Sequence, residues 1–433
     1  MANHGPNQGG LQSGSPVPGI AEAGGGIHGG SIESRASWVI AAVALTILSL
    51  SYGAPLITVV ALKPIAAEFG TARSAPALAV SLTYIGSGMG GIMMGWIAGR
   101  VGMRRVVIVC GLMIALGLVL ASYGGLYQLY ASNLLLIGLL GAAGMFSPMM
   151  AYVSLWFDRH RGSAIALVSS GQYVAGAVWP LLLQGGVDAL GWRHTMRLYA
   201  LLIAVTIPAL AAGFFRRPPE LVAHPSTTVG ALAFTPVSGI PPNLVQAMLA
   251  GAIFCCCVTM SIPLAHIVAF CSDIGIGPEP GAAMLSLQLA AGFVAQQLWG
   301  WVANRLGGLR TILFASASMA VAMTGFLVTQ NEIGLFSVSG VFGLAFGGLI
   351  PGYILAIREI FPAAEASWRI PVVLFPGALG MAVGGWMAGL IYDGWGYYAP
   401  AFAAGILFNL VNVALIGTLV PRHRPPRSVL AAV

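Results

Sequence analysis

The side chains of this sequence that could do chemistry are neutral hydrogen-bonding groups set in apolar surroundings. The segment "SIPLAHIV" places His266 three residues after Pro263, whose missing N–H should free the carbonyl of Thr259. A titratable ring and an open backbone oxygen are therefore expected together. "SSGQYVAGAVWP" offers Gln172, Tyr173 and Trp179, and "LSLQLAAGFVAQQLWG" offers Gln288, Gln296 and Gln297. On an ideal helix Gln296 lies about 80° from Gln288 and about 100° from Gln297, so the three amides cannot all converge. Tyr84 and Tyr353 are further phenols, although aromatic residues in such segments more often pack or anchor. Groups of this kind can hold a small molecule without making or breaking its bonds. No spacing suits a nucleophile with a base, or a metal cluster, so no enzyme activity, metal or cofactor is expected. Cys110, Cys255, Cys256, Cys257 and Cys271 fit no zinc pattern and are expected to pack. The glycine runs "GSGMGGIMMG" and "PGALGMAVGGWMAG" precede no Lys-Ser or Lys-Thr pair, and Lys63 is the only lysine, so no ATP-driven motor is expected. Their small residues instead permit close helix contact.

The elements that position these groups must live in lipid. Of 433 residues 58% are hydrophobic and 7% charged, against roughly 25% charged in soluble domains. Apolar runs of about 20 residues can cross the hydrocarbon core. Twelve are expected, at about 37–60, 75–98, 105–122, 130–155, 163–185, 195–215, 243–270, 280–302, 309–327, 333–356, 370–391 and 398–420. The runs are apolar all round and do not alternate, which excludes a transmembrane barrel. The expected fold is an all-α membrane protein of twelve transmembrane helices in two pseudo-symmetric six-helix halves, 36–215 and 243–421. Residues 1–35, rich in Gly, Ser and Pro, are expected to form a disordered cytoplasmic tail that is no signal peptide. Residues 216–242 would link the halves and 422–433 would form a second tail.

The net charge of +7 is distributed as topology requires and does not imply a nucleic-acid partner. With the first tail in the cytoplasm, Lys63, Arg73, Arg193 and Arg197 fall outside and the other fifteen of the 19 basic residues fall inside. The 12 acids divide six and six. A bias confined to basic residues follows the positive-inside rule. Both termini are thus expected in the cytoplasm of a multi-pass protein of a bacterial inner membrane.

Two stretches repeat. "GWIAGRVGMRRV" follows the second expected span and "GWVANRLGGLRT" the eighth, each the second of its half. Duplicated halves are found in one large class of secondary transporters, with substrate held between them at the midplane. The turns resemble the signature of the major facilitator superfamily. Gly95, Arg100, Gly102, Arg104 and Arg105 match it in the first half, and Gly300, Arg305, Gly307 and Arg310 match it in part in the second. The acidic position of the signature holds Gly99 and Asn304. Within the superfamily the chain resembles the monocarboxylate-transporter group and its bacterial organic-anion relatives. "SYGAPLITVVALKPI", "FDRHRGSAIALVSSGQYVAG" and "GLAFGGLIPGYILAIREIFPAAEASWR" carry that likeness, which covers nearly all twelve spans.

The resemblance implies a secondary or facilitated transporter of a small organic, carboxylic acid working by alternating access. It would be a monomer in a lipid bilayer, and its partner a small-molecule substrate. An exporter of drugs or neutral amphipathic compounds with the same fold is the alternative, with a membrane enzyme or receptor behind it. The group's charged apparatus is replaced: its lysine by Leu56, its aspartate by Gly292 and its arginine by Gln296. Gln296 therefore falls at the family's anion-binding position, Ser147 at a polar cavity position, and Gln172 and Tyr173 at a cavity-facing pair of small residues. With His266, Tyr84 and Tyr353 they are the expected substrate-binding residues. Carboxylate affinity is expected to be modest and to improve as pH falls. In the family the signature's acid latches the cytoplasmic face. With Gly99 in its place, Glu365 is expected to supply a substitute latch to Arg100 or Arg104, within a cytoplasmic gate that includes Arg105, Arg305 and Arg310.

Overall fold

A computed structural model describes residues 33–157, 160–216 and 237–423. Most of the expected first tail, most of the linker and the end of the second tail lie outside the described residues, as does the side chain of Ser147.

In hydrocarbon a helix satisfies its own backbone groups, and the described residues contain no strand. The first half of the chain forms α1 (Arg35–Val60), the short α2 (Leu62–Phe69), α3 (Ser74–Val101) and α4 (Met103–Tyr123). Next, α5 (Leu126–Ala131) runs through a π-helical stretch (Ser132–Ala142) into α6 (Ala143–Ser154). Then α7 (Arg161–Ser169) continues as α8 (Gly171–Leu190), and α9 (Trp192–Phe214) closes the half. The second half forms α10 (Pro242–Asp273), α11 (Pro278–Leu306) and α12 (Gly308–Val328). It ends with α13 (Glu332–Phe346), α14 (Leu349–Ile360), α15 (Ala363–Trp395) and α16 (Ala399–Leu419).

Among the described residues, nine helical stretches are long and apolar enough to cross a membrane. Three of the twelve expected spans fall outside that group. Helix α11 dilutes its apolar residues with Gln. The pass that begins at Leu126 is a shorter apolar helix up to Ala142. Two separate cores form, one from residues 40–215 and one centred on residues 237–419.

Side-chain contacts show which helix ends share a side. The Trp38 and Phe157 rings meet edge to face at 5.0 Å, and the Tyr152 hydroxyl donates to the Arg216 carbonyl at 2.9 Å. The Ser238 N–H donates to the Arg422 carbonyl at 3.0 Å. This is the chain-end side, and the opposite one is the far side.

Helix α10 runs unbroken through Pro263, with no break in the helix there. Neighbours hold it on two faces. The Thr259 hydroxyl donates to the Gly405 carbonyl of α16 at 2.7 Å, and α15 lies so close that a methyl added at Gly384 would overlap the Val258 carbonyl oxygen and Ser261 Oγ. Gly384→Ala should therefore destabilise the protein by about 1–2 kcal/mol, seen as a lower melting temperature in detergent. An unchanged melting temperature would mean that α10 and α15 separate at no cost. The helix break falls instead at Gly347 and Gly348, between α13 and α14, where an added methyl at Gly348 would overlap Trp299 of α11.

Candidate functional site

Between the two halves lies a cavity of about 390 Å³, at the small end of the range for ligand pockets. Helices α1, α3 and α8 of the first half face α10, α11, α14 and α15 of the second across it. Its position depends on local breaks in helical pairing. Pro55 removes the helical donor to the Ser51 carbonyl, and two carbonyls just before that one accept side chains as well. Trp179 Nε1 donates to Ser49 O at 3.0 Å and the Tyr199 hydroxyl to Leu50 O at 2.9 Å. That fixes the turn of α1 that carries Tyr52 onto the cavity wall. In α8 the Tyr173 ring stacks on Phe346 at 6.2 Å between centroids, closing one corner between the halves.

Of the residues expected to bind substrate, Tyr84, Gln172 and Tyr173 line this cavity. His266, Gln296 and Tyr353 do not. His266 is wholly buried between α10, α15 and the start of α16. Its Nε2 is 2.7 Å from the Gly385 carbonyl oxygen and its Nδ1 is 3.1 Å from the Tyr398 hydroxyl. A carbonyl can only accept, so Nε2 carries the proton, and in the neutral ring Nδ1 accepts from Tyr398. Gln296 lies on the same face of α11 as the wall residues Leu285 and Leu289, but farther toward the chain-end side. Its Nε2 is 3.5 Å from Ser169 Oγ across the interface, and its Oε1 is buried without a partner. Tyr353 is buried inside the second half, its hydroxyl donating to Asn412 Oδ1 at 2.8 Å.

The sequence reading missed Tyr52, Thr83, Ser87, Cys257 and Met260, all on the wall. Tyr52 had a signal. Leu56, one turn further along α1, holds the position of the family's lysine, and the two share a helix face.

Above the cavity, charges of the two halves meet on the far side. Asp273, at the end of α10, accepts Lys63 Nζ at 2.9 Å and Arg73 Nη2 at 2.7 Å, with Arg73 Nη1 on its other oxygen. Arg73 lies over the Tyr392 ring at 3.8 Å and donates to the Tyr398 hydroxyl at 3.1 Å. Asp393 of α15 accepts the backbone N–H groups of Arg73 and Ser74, each at 2.9 Å, at the start of α3, where a negative charge suits the helix dipole. Among the described residues, the ion pairs that join the halves all lie on this side.

On the chain-end side the two repeated turns have matching forms. Arg100 stacks over Trp96 at 3.7 Å, and Arg305 over Trp301 at 4.0 Å. Gly102 and Gly307 make the turns at φ of 90° and 81°. Arg104, Arg105 and Arg310 are exposed. Glu365 pairs with Arg369 of its own helix at 2.8 Å, not with Arg100 or Arg104. The carboxylate that reaches a repeated turn is that of Glu359, whose Oε2 accepts the Gly308 N–H at 2.9 Å.

A family model described as Major Facilitator Superfamily matches residues 38–270 and 247–433. Monocarboxylate transporter 13 of Bos taurus is 26% identical over 334 residues, which is 74% of this chain and 74% of that protein. Monocarboxylate transporter 11 of Mus musculus is 28% identical over 417 residues, covering 90% of this chain and 88% of the relative. Among solved structures, a bacterial homolog to the human lysosomal transporter Spinster, in an inward-facing and occupied conformation, superposes with a TM-score of 0.70. It is 15% identical, and the match covers 89% of this chain and 97% of that one.

Proposed function

The chain belongs to the Major Facilitator Superfamily, and from that membership we propose that it moves a small organic acid across a bacterial inner membrane by alternating access. In this reading the protein works as a monomer, draws on substrate or ion gradients and not on ATP, and keeps both chain ends in the cytoplasm. The observation that carries the reading is the cavity between the halves beneath a far-side seal of ion pairs. A binding space bordered by both halves and sealed from one side is what alternating access requires. The names of the monocarboxylate-transporter relatives support the acid, and the fifteen inward basic residues support the orientation.

Flux across reconstituted vesicles tests it. Radiolabelled monocarboxylates should equilibrate down an imposed gradient through the protein and not through empty vesicles. Gly91 lines the cavity, and a Cβ added there meets nothing within 4 Å, so Gly91→Phe should place its ring in the cavity and abolish most of the flux while leaving the folded protein intact. Undiminished flux in that variant would move the pathway elsewhere.

A further inference from the structure

The cavity has two unlike walls. On the first-half wall the phenols of Tyr52, Tyr84 and Tyr173 and the amide of Gln172 make no hydrogen bond within the described protein. The other hydroxyls of that wall are already engaged. Ser51 donates to Ile47 O at 2.9 Å, Ser87 to Thr83 O at 2.7 Å, and Thr83 to Asn133 Oδ1 at 2.9 Å. The second-half wall is apolar apart from Ser261 and the thiol of Cys257, with Met260, Leu264, Leu289 and Phe346 among its larger side chains. Its hydroxyl, Ser261, donates to the Val258 carbonyl at 3.1 Å. Among the described residues no charged side chain lines either wall.

We propose that the ligand is an uncharged amphipath with one polar end: its head is held by Tyr52, Tyr84, Tyr173 and Gln172 of the first half, and its body lies on the apolar wall of the second. Four unengaged groups that both donate and accept can satisfy one carboxylic acid, carboxamide or similar head. A head left on the apolar wall would lose its hydrogen bonds, and burying a polar group unpaired is costly. Net charge is disfavoured for the same reason, because a buried ion without a counter-ion loses its hydration and gains nothing in exchange. Dicarboxylates fail twice, since their second head meets leucine and methionine. Cations meet no carboxylate in the walls. The ligands that fit are aromatic or branched aliphatic monocarboxylic acids in their protonated form, and their neutral relatives. The inference rests on the reading of this cavity as the transport site.

Four probes sharing one body separate these classes: 4-phenylbutyric acid, 4-phenylbutyramide, phenylsuccinate and 4-phenylbutylamine. Their affinities for the purified chain in nanodiscs would be measured by calorimetry at a pH below the acid's own pKa. The acid and the amide should bind within about threefold of each other, and the dicarboxylate and amine far more weakly. Tyr52→Phe, Tyr84→Phe and Gln172→Leu should each weaken acid and amide alike, by about three- to tenfold, the worth of one neutral hydrogen bond. Calorimetry repeated at pH 8 should show the ionised acid falling below the amide.

A carboxylate that binds more than tenfold tighter than the amide would overturn the inference, because some cation would then hold the head. So would three variants with unchanged affinity, or no binding by either acid or amide. Flux separates this inference from the transport reading. Binding in the expected order without flux in vesicles overturns transport and leaves the inference standing. Flux of dicarboxylates in preference to monocarboxylates overturns the inference and leaves transport standing.

Discussion

Asp273→Asn should open the far side of the cavity. In the present state the Asp273 carboxylate faces both Lys63 and Arg73 across the boundary between the halves. The side chains of Asp273 and Arg73 are 19% and 15% exposed, so the pair is neither fully hydrated nor fully buried. Exposed pairs contribute about 0–1 kcal/mol, and breaking a buried pair costs about 3–5 kcal/mol. Intermediate burial with two cations on one carboxylate places the loss at about 2–3 kcal/mol, or roughly 30- to 150-fold in the ratio of closed to open. Leu264 lines the cavity, so a cysteine there would report the change. With the wall residue Cys257 replaced by Ala, a membrane-impermeant maleimide applied from the far side should label Leu264→Cys much faster in the Asp273→Asn background. Reversing both charges, Arg73→Asp with Asp273→Arg, should recover only part of the protection, because the new arginine faces Lys63 and the new aspartate faces Asp393. Equal labelling rates in parent and Asp273→Asn would mean that the ion pairs decorate a closure made elsewhere.

Asn412→Leu should destabilise the second half more than any single change to the cavity wall. Four residues of α12, α14 and α16 form a closed polar cluster there, all fully buried. Tyr353 donates to Asn412 Oδ1 at 2.8 Å, Asn412 Nδ2 to Ser316 Oγ at 2.7 Å, and Asn409 Nδ2 to the Ser316 carbonyl at 2.7 Å. Leucine keeps the branched shape of Asn412 but leaves the Tyr353 hydroxyl without its acceptor and Ser316 Oγ without its donor. Each orphaned buried group costs about 1–3 kcal/mol, so the total should be about 2–6 kcal/mol. Thermal unfolding in detergent would show it. Tyr353→Phe added to Asn412→Leu removes one orphan and should recover part of the loss, the non-additivity expected of neighbours in one network. If Asn412→Leu melts with the parent, water or a rearranged partner has replaced the lost bonds.

Much of the architecture was legible because lipid leaves the chain few options. Apolar runs of span length, a basic bias on one set of loops and a repeated glycine-arginine turn were enough to anticipate an all-helical membrane fold of this family. The site was legible only in part, for a geometric reason. Periodicity along a helix gives the direction in which a side chain points, but not its depth along the axis relative to a neighbour. Gln296 illustrates the difference: it shares the face of Leu285 and Leu289, yet lies toward the chain-end side and meets Ser169 instead of the cavity. His266 shows a second limit. A buried imidazole needs two partners, and its partners, Gly385 and Tyr398, are more than a hundred residues away in the chain. Nothing local distinguishes a ring that grips substrate from one that braces three helices. The expected pairing of Glu365 with the first-half turn failed for the same reason: Glu365 pairs with Arg369 of its own helix, and Glu359 reaches only the second-half turn, at Gly308.

The hydrogen bonds around His266 carry a thermodynamic consequence. Arg73 belongs to the far-side seal and donates to Tyr398; Tyr398 is bonded to His266; and His266 is bonded to Gly385, which borders the cavity. Seal and cavity are therefore joined by three successive hydrogen bonds, a continuous path for coupling between them. Coupling free energy is reciprocal. Whatever factor an occupant of the cavity contributes to holding the seal shut, the shut seal returns to the occupant as tighter binding. A substitution in the relay, such as His266→Leu, must change both quantities by one common ratio.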